Sequence, residues 1–153
     1  MKVNIVAIGK LKSKTPEKAI IDEYTKRCHW KIAIKELNEP RNLEVEEKKI
    51  EEGKLLLSSI SASSKIIVLD ERGVNITSPD LAKKIENWQV QGASEISFLI
   101  GGANGHSQMI RDKADLILSF GKLTLPHMLM RAVLSEQIYR LESIISSHPY
   151  HKI

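Results

Sequence analysis

Two histidines and a tyrosine stand together near the end of the chain, in the segment HPYHK. An imidazole changes its protonation state close to neutral pH, so such a side chain can accept or donate a proton in a reaction. The ends of a domain are usually frayed, which makes them a poor place for such groups unless another part of the protein holds them. Either His148, Tyr150 and His151 have no task, or they reach a functional site.

Three other segments each follow a predicted strand: LDERG at 69–73, IGGANG at 100–105 and SFGKLTLPH at 119–127. In open α/β sheets, ligands bind outside the carboxyl ends of the strands. The three loops therefore predict one shared crevice.

The first two loops allow more than one interpretation. Asp70 and Glu71 could act as paired carboxylates, but the neighbouring Arg72 favours an ion-paired turn. The GGANG turn could bring the backbone close to a ligand or could simply be a structural turn. Asn104 stands where G-x-G-x-x-G would need a glycine in one register, and the G-x-x-x-x-G-K-[ST] pattern does not occur. Dinucleotide binding and nucleotide hydrolysis are therefore disfavoured.

The third loop is unusual because the apolar run in KLTLPH continues until Pro126 starts a helix. Such a loop could line an adenine pocket, with backbone amides supplying the polar contacts. His127, at the start of the following helix, would then lie near that pocket. Alternatively, His127 is a helix-start histidine without a task.

These loops must be positioned by a sheet. Short β-type runs alternate with helical patterns, which favours an α/β fold with helices on both faces of the sheet. The third and fourth runs are nearly all apolar, as is typical of central parallel strands. Thr15 before Pro16 and Ser78 before Pro79 predict two capped helix starts. The predicted strands are KVNIVAI, KIAIKEL, KIIVLD, EISFLI and DLILSF.

The last predicted helix, MLMRAVLSEQIYRLESII, differs from the others because its apolar residues, among them Leu134 and Ile138, cover more than one face. A second apolar face predicts a partner, most simply another copy of the chain. The alternative is a central helix enclosed within one monomer.

Length and composition bound the remaining possibilities. The 153 residues predict a single domain over 1–153. The net charge of +4 permits an anionic partner, and lysines crowd the first part of the chain, where they form either a phosphate-binding surface or solvated faces.

Without an apolar stretch near the ~20 residues of a membrane span, a cytoplasmic protein is expected. The single Cys28, beside His29, is interpreted as a core residue, and the scattered histidines predict no metal site.

The segments LDERG, FLIGGANG, LTLPH with RAVLSEQIYR, and HPYHK occur in the same order as in one enzyme family. Over the whole chain the sequence resembles the ribosomal RNA large-subunit methyltransferase H family, of the SPOUT class. The resemblance implies a SPOUT-type α/β fold with a C-terminal trefoil knot, a homodimer, and S-adenosylmethionine as cofactor. It also implies methylation of N3 of a pseudouridine in 23S rRNA on the assembled ribosome.

The same resemblance implies the functional residues. Relatives often carry serine at the position of Gly121, so a hydroxyl contact to the cofactor is not expected there. Since the N3–H proton must leave, His127, His148 and His151 are the candidate proton acceptors. Tyr150 could stack on the target base, and Arg131 or Lys152 could hold a phosphate or developing negative charge. The implied cofactor-binding residues are Leu69, Gly101, Gly102, Gly121, Lys122, Leu123, Thr124, Leu125 and Pro126.

Two other function classes stay open at this point. The chain could be a non-catalytic ribosome-binding protein that uses its basic surface. It could also be a nucleotide-binding α/β regulator with a phosphorylated ligand in the same crevice.

Overall fold

The computed structural model describes residues 1–152. Within them, strands and helices alternate along the chain. No helix of this described part is both long and apolar enough to cross a bilayer. The strands are β1 (Lys2–Ile8), β2 (Lys31–Leu37), β3 (Lys65–Val74), β4 (Glu95–Ile100) and β5 (Leu116–Leu118), and the helices are α1 (Pro16–Arg27), α2 (Val45–Ser58), α3 (Ser78–Val90), α4 (Gln108–Lys113) and α5 (His127–Ile145).

The strands form one parallel sheet in the order β2-β1-β4-β3-β5. The predicted α/β class and the mainly parallel sheet are thereby confirmed. β4 lies in the middle, which explains its almost continuous apolar sequence, since a central parallel strand is covered on both faces. All carboxyl ends of the strands meet at one edge of the sheet.

β3 is longer than predicted. The prediction ended the strand at Asp70, but it continues to Val74, and its pairing with β5 shifts register between Leu69 and Val74. Gly73 makes this irregular end possible, because a Cβ there would lie 2.6 Å from the backbone of Ile117. The segment LDERG is therefore the irregular end of a strand rather than a loop.

Helices cover both faces of the sheet, as predicted. On one face, α3 and α5 bury apolar side chains such as Ile85 and Leu134 against Ile5 and Phe98 of the sheet. α1 packs beside α5 in the same layer. α2 and α4 cover the other face with a second core cluster of Val6, Ile8, Leu56, Val68, Leu99 and Ile110.

α5 is the central helix of its layer, packed between α1 and α3. Leu134 and Ile138 are 1% and 0% exposed within a single chain. The inference that their apolar face needs a second copy was wrong, because two neighbouring helices already cover it. The homodimer itself stays a prediction.

Two helix starts follow the predicted chemistry, with one correction. The Thr15 hydroxyl caps α1 by accepting from the Lys18 amide at 3.3 Å. For α3 the cap is Thr77, which accepts from the Asp80 amide at 3.2 Å, and not Ser78. Ser78 is the first residue of the helix, so Pro79 follows at the second position. A proline is tolerated there because the amides of the first turn lack intrahelical partners.

Cys28 directly follows the last residue of α1, and it packs against the larger core cluster. Burial, with a smaller effect of Glu142, raises the pKa of its thiol to about 12. A thiol that stays protonated is a poor nucleophile. The interpretation as a core residue holds in part, because Cys28 is half-buried at the edge of the core.

Candidate active site

The carboxyl ends of β3, β4 and β5 surround a cleft of about 260 Å³. It is lined by the end of β3, by the turn after β4, and by the segment that joins β5 to α5. The single crevice predicted from the three segments is confirmed. Of the predicted cofactor residues, all except Lys122 and Pro126 line this cleft: Leu69, Gly101, Gly102, Gly121, Leu123, Thr124 and Leu125.

An ion pair forms one wall of the cleft. Arg111 of α4 donates from Nε and Nη2 to Oδ2 of Asp70, at 3.0 and 2.8 Å. Burial alone would raise the pKa of Asp70, but the Arg72 amide and the Arg111 guanidinium outweigh it, so the pKa lies below its ordinary value. Asp70 is ion-paired, as expected, but it lies in the irregular end of β3 and not in a turn. Its guanidinium partner is Arg111, whereas Arg72 contributes only its backbone amide.

His106 supports the glycine turn from behind. Its ring lies 3.0 Å from the place where a Cβ on Gly101 would stand, so a larger residue there would press on the imidazole. Its Nε2 is 3.1 Å from the carbonyl oxygen of Leu69, and because a carbonyl can only accept, Nε2 carries the proton. Burial lowers the pKa of His106 to about 4, so the ring is neutral. His106 was not among the predicted site residues, although it directly follows the GGANG turn.

Gly102 is held by a residue that the sequence pattern did not indicate. The backbone amide of Gly102 donates to Oε2 of Glu52 at 3.1 Å. A Cβ on Gly102 would lie 2.5 Å from Oε1 of the same carboxylate. A larger residue at 102 would therefore displace the Glu52 carboxylate, which does not line the cleft.

The segment after β5 turns sharply at Gly121, whose φ of 122° lies in the region that favours glycine. The Ser119 hydroxyl closes the turn by accepting from the Gly121 amide at 3.1 Å and donating to the Gly121 carbonyl at 2.9 Å. The side chain of Leu123 is 84% exposed beside the cleft. This arrangement places an apolar side chain where an aromatic ligand could cover it.

His127 is the first residue of α5, and its half-buried side chain lines the cleft. Burial, with a smaller contribution from the positive charge of Arg131, lowers the pKa of its imidazole, while Glu39 opposes the shift. The ring is therefore neutral at pH 7 and able to accept a proton.

The structure does not bring Arg131 to the cleft. This residue is 1% exposed, and its guanidinium donates to the carbonyls of Ile8 and Gly9 at 2.8 and 3.0 Å. A third hydrogen bond joins it to Oε1 of Glu36 at 3.1 Å. Arg131 thus ties α5 to the ends of β1 and β2. This placement departs from the prediction that it holds a phosphate or a developing charge.

The C-terminal tail lies at the opposite end of α5. The Tyr150 hydroxyl donates to Glu136 at 2.9 Å, and the Arg140 guanidinium lies 4.9 Å from the centre of the Tyr150 ring. His151 contacts Arg140 at 3.3 Å, whereas His148 is exposed. His127 and Arg140 are separated by about 20 Å along the helix axis. The tail of a chain is therefore ordered, but it does not reach that chain's own cleft.

The side chains of the cleft fit an adenosine-like ligand better than a metal ion. Leu69, Leu118 and Leu123 provide apolar surface, while Thr124 and backbone groups provide polar contacts. The cleft volume of about 260 Å³ lies just below the roughly 300–1,000 Å³ typical of ligand pockets. Within residues 1–152 no three or more histidine, cysteine or carboxylate side chains are grouped as metal ligands would be.

Comparisons with known proteins identify relatives of the chain. A family model described as "Predicted SPOUT methyltransferase" matches residues 1–151. Among curated proteins, the chain is similar to one from Paramagnetospirillum magneticum, with 42% identity over 99% of both chains. It is also 42% identical to one from Halothermothrix orenii, over 99% of this chain and 100% of the relative, and 38% identical to one from Rhodospirillum centenum, over 99% of both chains. All three relatives are named ribosomal RNA large subunit methyltransferase H.

Proposed function

The chain belongs to the SPOUT methyltransferases, as a member of the ribosomal RNA large subunit methyltransferase H family, and we propose that it methylates N3 of a pseudouridine in 23S rRNA. The methyl donor would be S-adenosylmethionine, and the substrate would be the assembled ribosome in the cytoplasm. The observation that carries the proposal is the convergence of three separate segments on one cleft, with the neutral His127 at its edge.

The cofactor would be held by the residues that line the cleft. Leu69, Leu118 and Leu123 offer apolar surface to an adenine ring, and the backbones of Gly101 and Gly121 can approach closely because they carry no side chain. S-adenosylmethionine supplies an activated methyl group on a sulfonium sulfur. The chain has to align that methyl group with the target nitrogen and exclude water.

The N3–H proton of the target base must leave during transfer, and we assign its acceptance to His127. N3 lies between two carbonyls and is weakly acidic, so a neutral imidazole is a suitable base. The structure favours His127 over His106, because the latter is 4% exposed and its Nε2 proton is already donated to Leu69.

We further propose that the active unit is a homodimer in which the tail of one subunit meets the cleft of the other. Each chain has an ordered tail that lies a helix length away from its own cleft. Packing of Tyr150 against its own α5 holds the tail before any partner arrives, so pairing would cost little ordering entropy. The trefoil knot implied by the family is part of the same proposal, and the parallel sheet agrees with it.

The direct experiment is transfer of labelled methyl groups from S-adenosylmethionine to intact ribosomes, free large subunits and naked rRNA in parallel. We expect labelling of intact ribosomes, and its loss when the target uridine is not isomerised to pseudouridine. Binding of S-adenosylmethionine but not ATP in calorimetry would separate this proposal from a nucleotide-binding regulator. A chain that binds ribosomes without binding S-adenosylmethionine would refute it.

Mixing of inactive variants tests the shared site. A chain lacking residues 148–153 should bind the cofactor but fail in transfer, and His127→Ala should fail because it lacks the base. A heterodimer of the two has one cleft with His127 that faces an intact tail, so the mixture should recover part of the activity. Absence of recovery, with subunit exchange verified, would place the tail elsewhere.

A further inference from the structure

Glu52 is a buried carboxylate that contacts the glycine turn of the cleft from helix α2. It is 3% exposed, and among the described residues no lysine or arginine forms an ion pair with it. Its hydrogen bond comes from the backbone amide of Gly102, at 3.1 Å. Burying a carboxylate costs free energy unless the group is hydrogen-bonded or ion-paired. Here it satisfies an amide that the turn leaves without a strand partner.

Gly53, the next residue of α2, contacts the far end of the segment that begins at Gly102. A Cβ on Gly53 would lie 2.9 Å from the side chain of Ile110 and 3.2 Å from the hydroxyl of Ser107. Gly53 therefore allows α2 to pack closely on α4. Glu52 and Gly53 together attach α2 to both ends of the segment that runs from Gly102 to Ile110.

Little freedom is left to Gly102 in this arrangement. Its amide is bonded to Glu52, and its carbonyl accepts from the amide of Gly105 at 3.1 Å. The carboxylate occupies the side where a Cβ would stand, so the other side of the turn is the one presented to the cleft.

We propose that Glu52 is a positioning residue for cofactor binding: by holding the Gly102 amide it fixes the turn in the shape that S-adenosylmethionine requires. The inference rests on the proposed function, since it presupposes that cofactor. Glu52 touches neither the cofactor nor the substrate, and it acts through the backbone of Gly102.

Kinetics of Glu52→Ala and Glu52→Gln test this role. Glu52→Ala should raise the KM for S-adenosylmethionine about tenfold, as expected when the Gly102 amide is left without an acceptor, with little change in kcat at saturating cofactor. Glu52→Gln should stay within about twofold of the wild type, because its amide oxygen can accept from the same N–H. The matched control is Ser64→Ala, which removes a buried 2.7 Å hydrogen bond to Ser97 at the other end of the sheet. It should lower the Tm and leave the KM unchanged.

A double-mutant cycle keeps the test valid if one variant folds poorly. Gly102→Ala introduces a Cβ 2.5 Å from Glu52, so it should raise the KM in the wild-type background. In Glu52→Ala the obstacle is absent, so the same change should add little. Additive effects, or a Glu52→Gln variant as impaired as Glu52→Ala, would overturn the positioning role. If the wild type bound no S-adenosylmethionine at all, the proposed function would fail instead.

Discussion

Replacement of Arg131 by methionine distinguishes a residue that positions strands from one that touches substrate. The change keeps an unbranched side chain of similar length and removes the guanidinium. Three acceptors then lose the guanidinium: the carbonyls of Ile8 and Gly9, and the carboxylate of Glu36, which keeps a hydrogen bond from the Leu11 amide at 3.0 Å.

The cost can be estimated from these contacts. Arg131 is 1% exposed, and the Glu36 side chain is 29% exposed, so the pair is buried on one side only. Removing one partner of a fully buried pair costs about 3–5 kcal/mol. Because Glu36 keeps some contact with water, we expect the lower end, about 3 kcal/mol. For a domain of this size, that lowers the Tm by about 6–12 °C.

Thermal unfolding measures the lost stability of Arg131→Met, and the pH dependence of methyl transfer measures its effect on the pKa of His127. The positive charge of Arg131 helps to lower the pKa of His127, so Arg131→Met should move the acidic limb of the rate profile to higher pH. Glu36→Gln serves as the control, since it weakens the same contact and leaves the guanidinium in place. If the Arg131→Met variant had an unchanged Tm and no activity, Arg131 would contact substrate directly and the positioning account would be wrong.

Two further predictions concern pH. Because the pKa of His127 is lowered, its imidazole is neutral at pH 7 and can act as the base. Methyl transfer should therefore decline only below about pH 6.5, the ordinary pKa of histidine. A decline that is already complete at pH 7.5 would contradict the assignment of His127 as the base. The lowered pKa of Asp70 adds stability above its unfolded value of about 3.9 that is lost as the pH falls further. Arg111→Gln removes part of that shift, so circular dichroism should show acid unfolding at a higher pH than in the wild type, and an unchanged midpoint would mean that the ion pair contributes nothing.

Sequence periodicity was sufficient to predict where the strands lie, because the apolar pattern of a strand is contained within a few consecutive residues. All five runs were found, and the prediction that their carboxyl ends share one crevice required only the parallel arrangement. The end of β3 was misjudged, since Asp70, Glu71 and Gly73 resemble a turn. Only the approach of the Ile117 backbone to Gly73 shows why the strand continues.

The residues that hold the site together could not be predicted, because their partners are distant in the chain. Glu52 holds Gly102, Arg131 holds Gly9, and Glu142 accepts from the backbone amides of His29 and Trp30 at 2.9 to 3.0 Å. In each case a buried side chain of a helix satisfies backbone groups next to a strand end. No spacing rule marks such residues, and a buried charge in a helix looks like a solvated one in the sequence.

The hydrogen bonds of His148 and His151 distinguish the roles that these two tail histidines can have. Nδ1 of His148 accepts from the backbone amide of Tyr150 at 3.2 Å, so in the neutral ring the proton is on Nε2. An exposed Nε2–H can donate a hydrogen bond to a carbonyl of the target base or to a phosphate, whereas the lone pair that could take up a proton, on Nδ1, already accepts from the Tyr150 amide. His151 is engaged with Arg140. We therefore expect His148 to donate a hydrogen bond to the substrate and His127 to accept the N3 proton.

Glutamine tests this division of roles, because its side-chain amide can occupy the position of a histidine Nε2–H but is not basic. His148→Gln should retain a substantial part of the methyl-transfer rate, with an unchanged pH profile, whereas His148→Ala should lose most of it. His127→Gln should be as inactive as His127→Ala, since neither side chain accepts a proton at neutral pH. Cofactor affinity, measured by calorimetry, should be near that of the wild type for both His148 variants. The opposite pattern, with rescue by glutamine at 127 and none at 148, would make the tail histidine of the partner the proton acceptor.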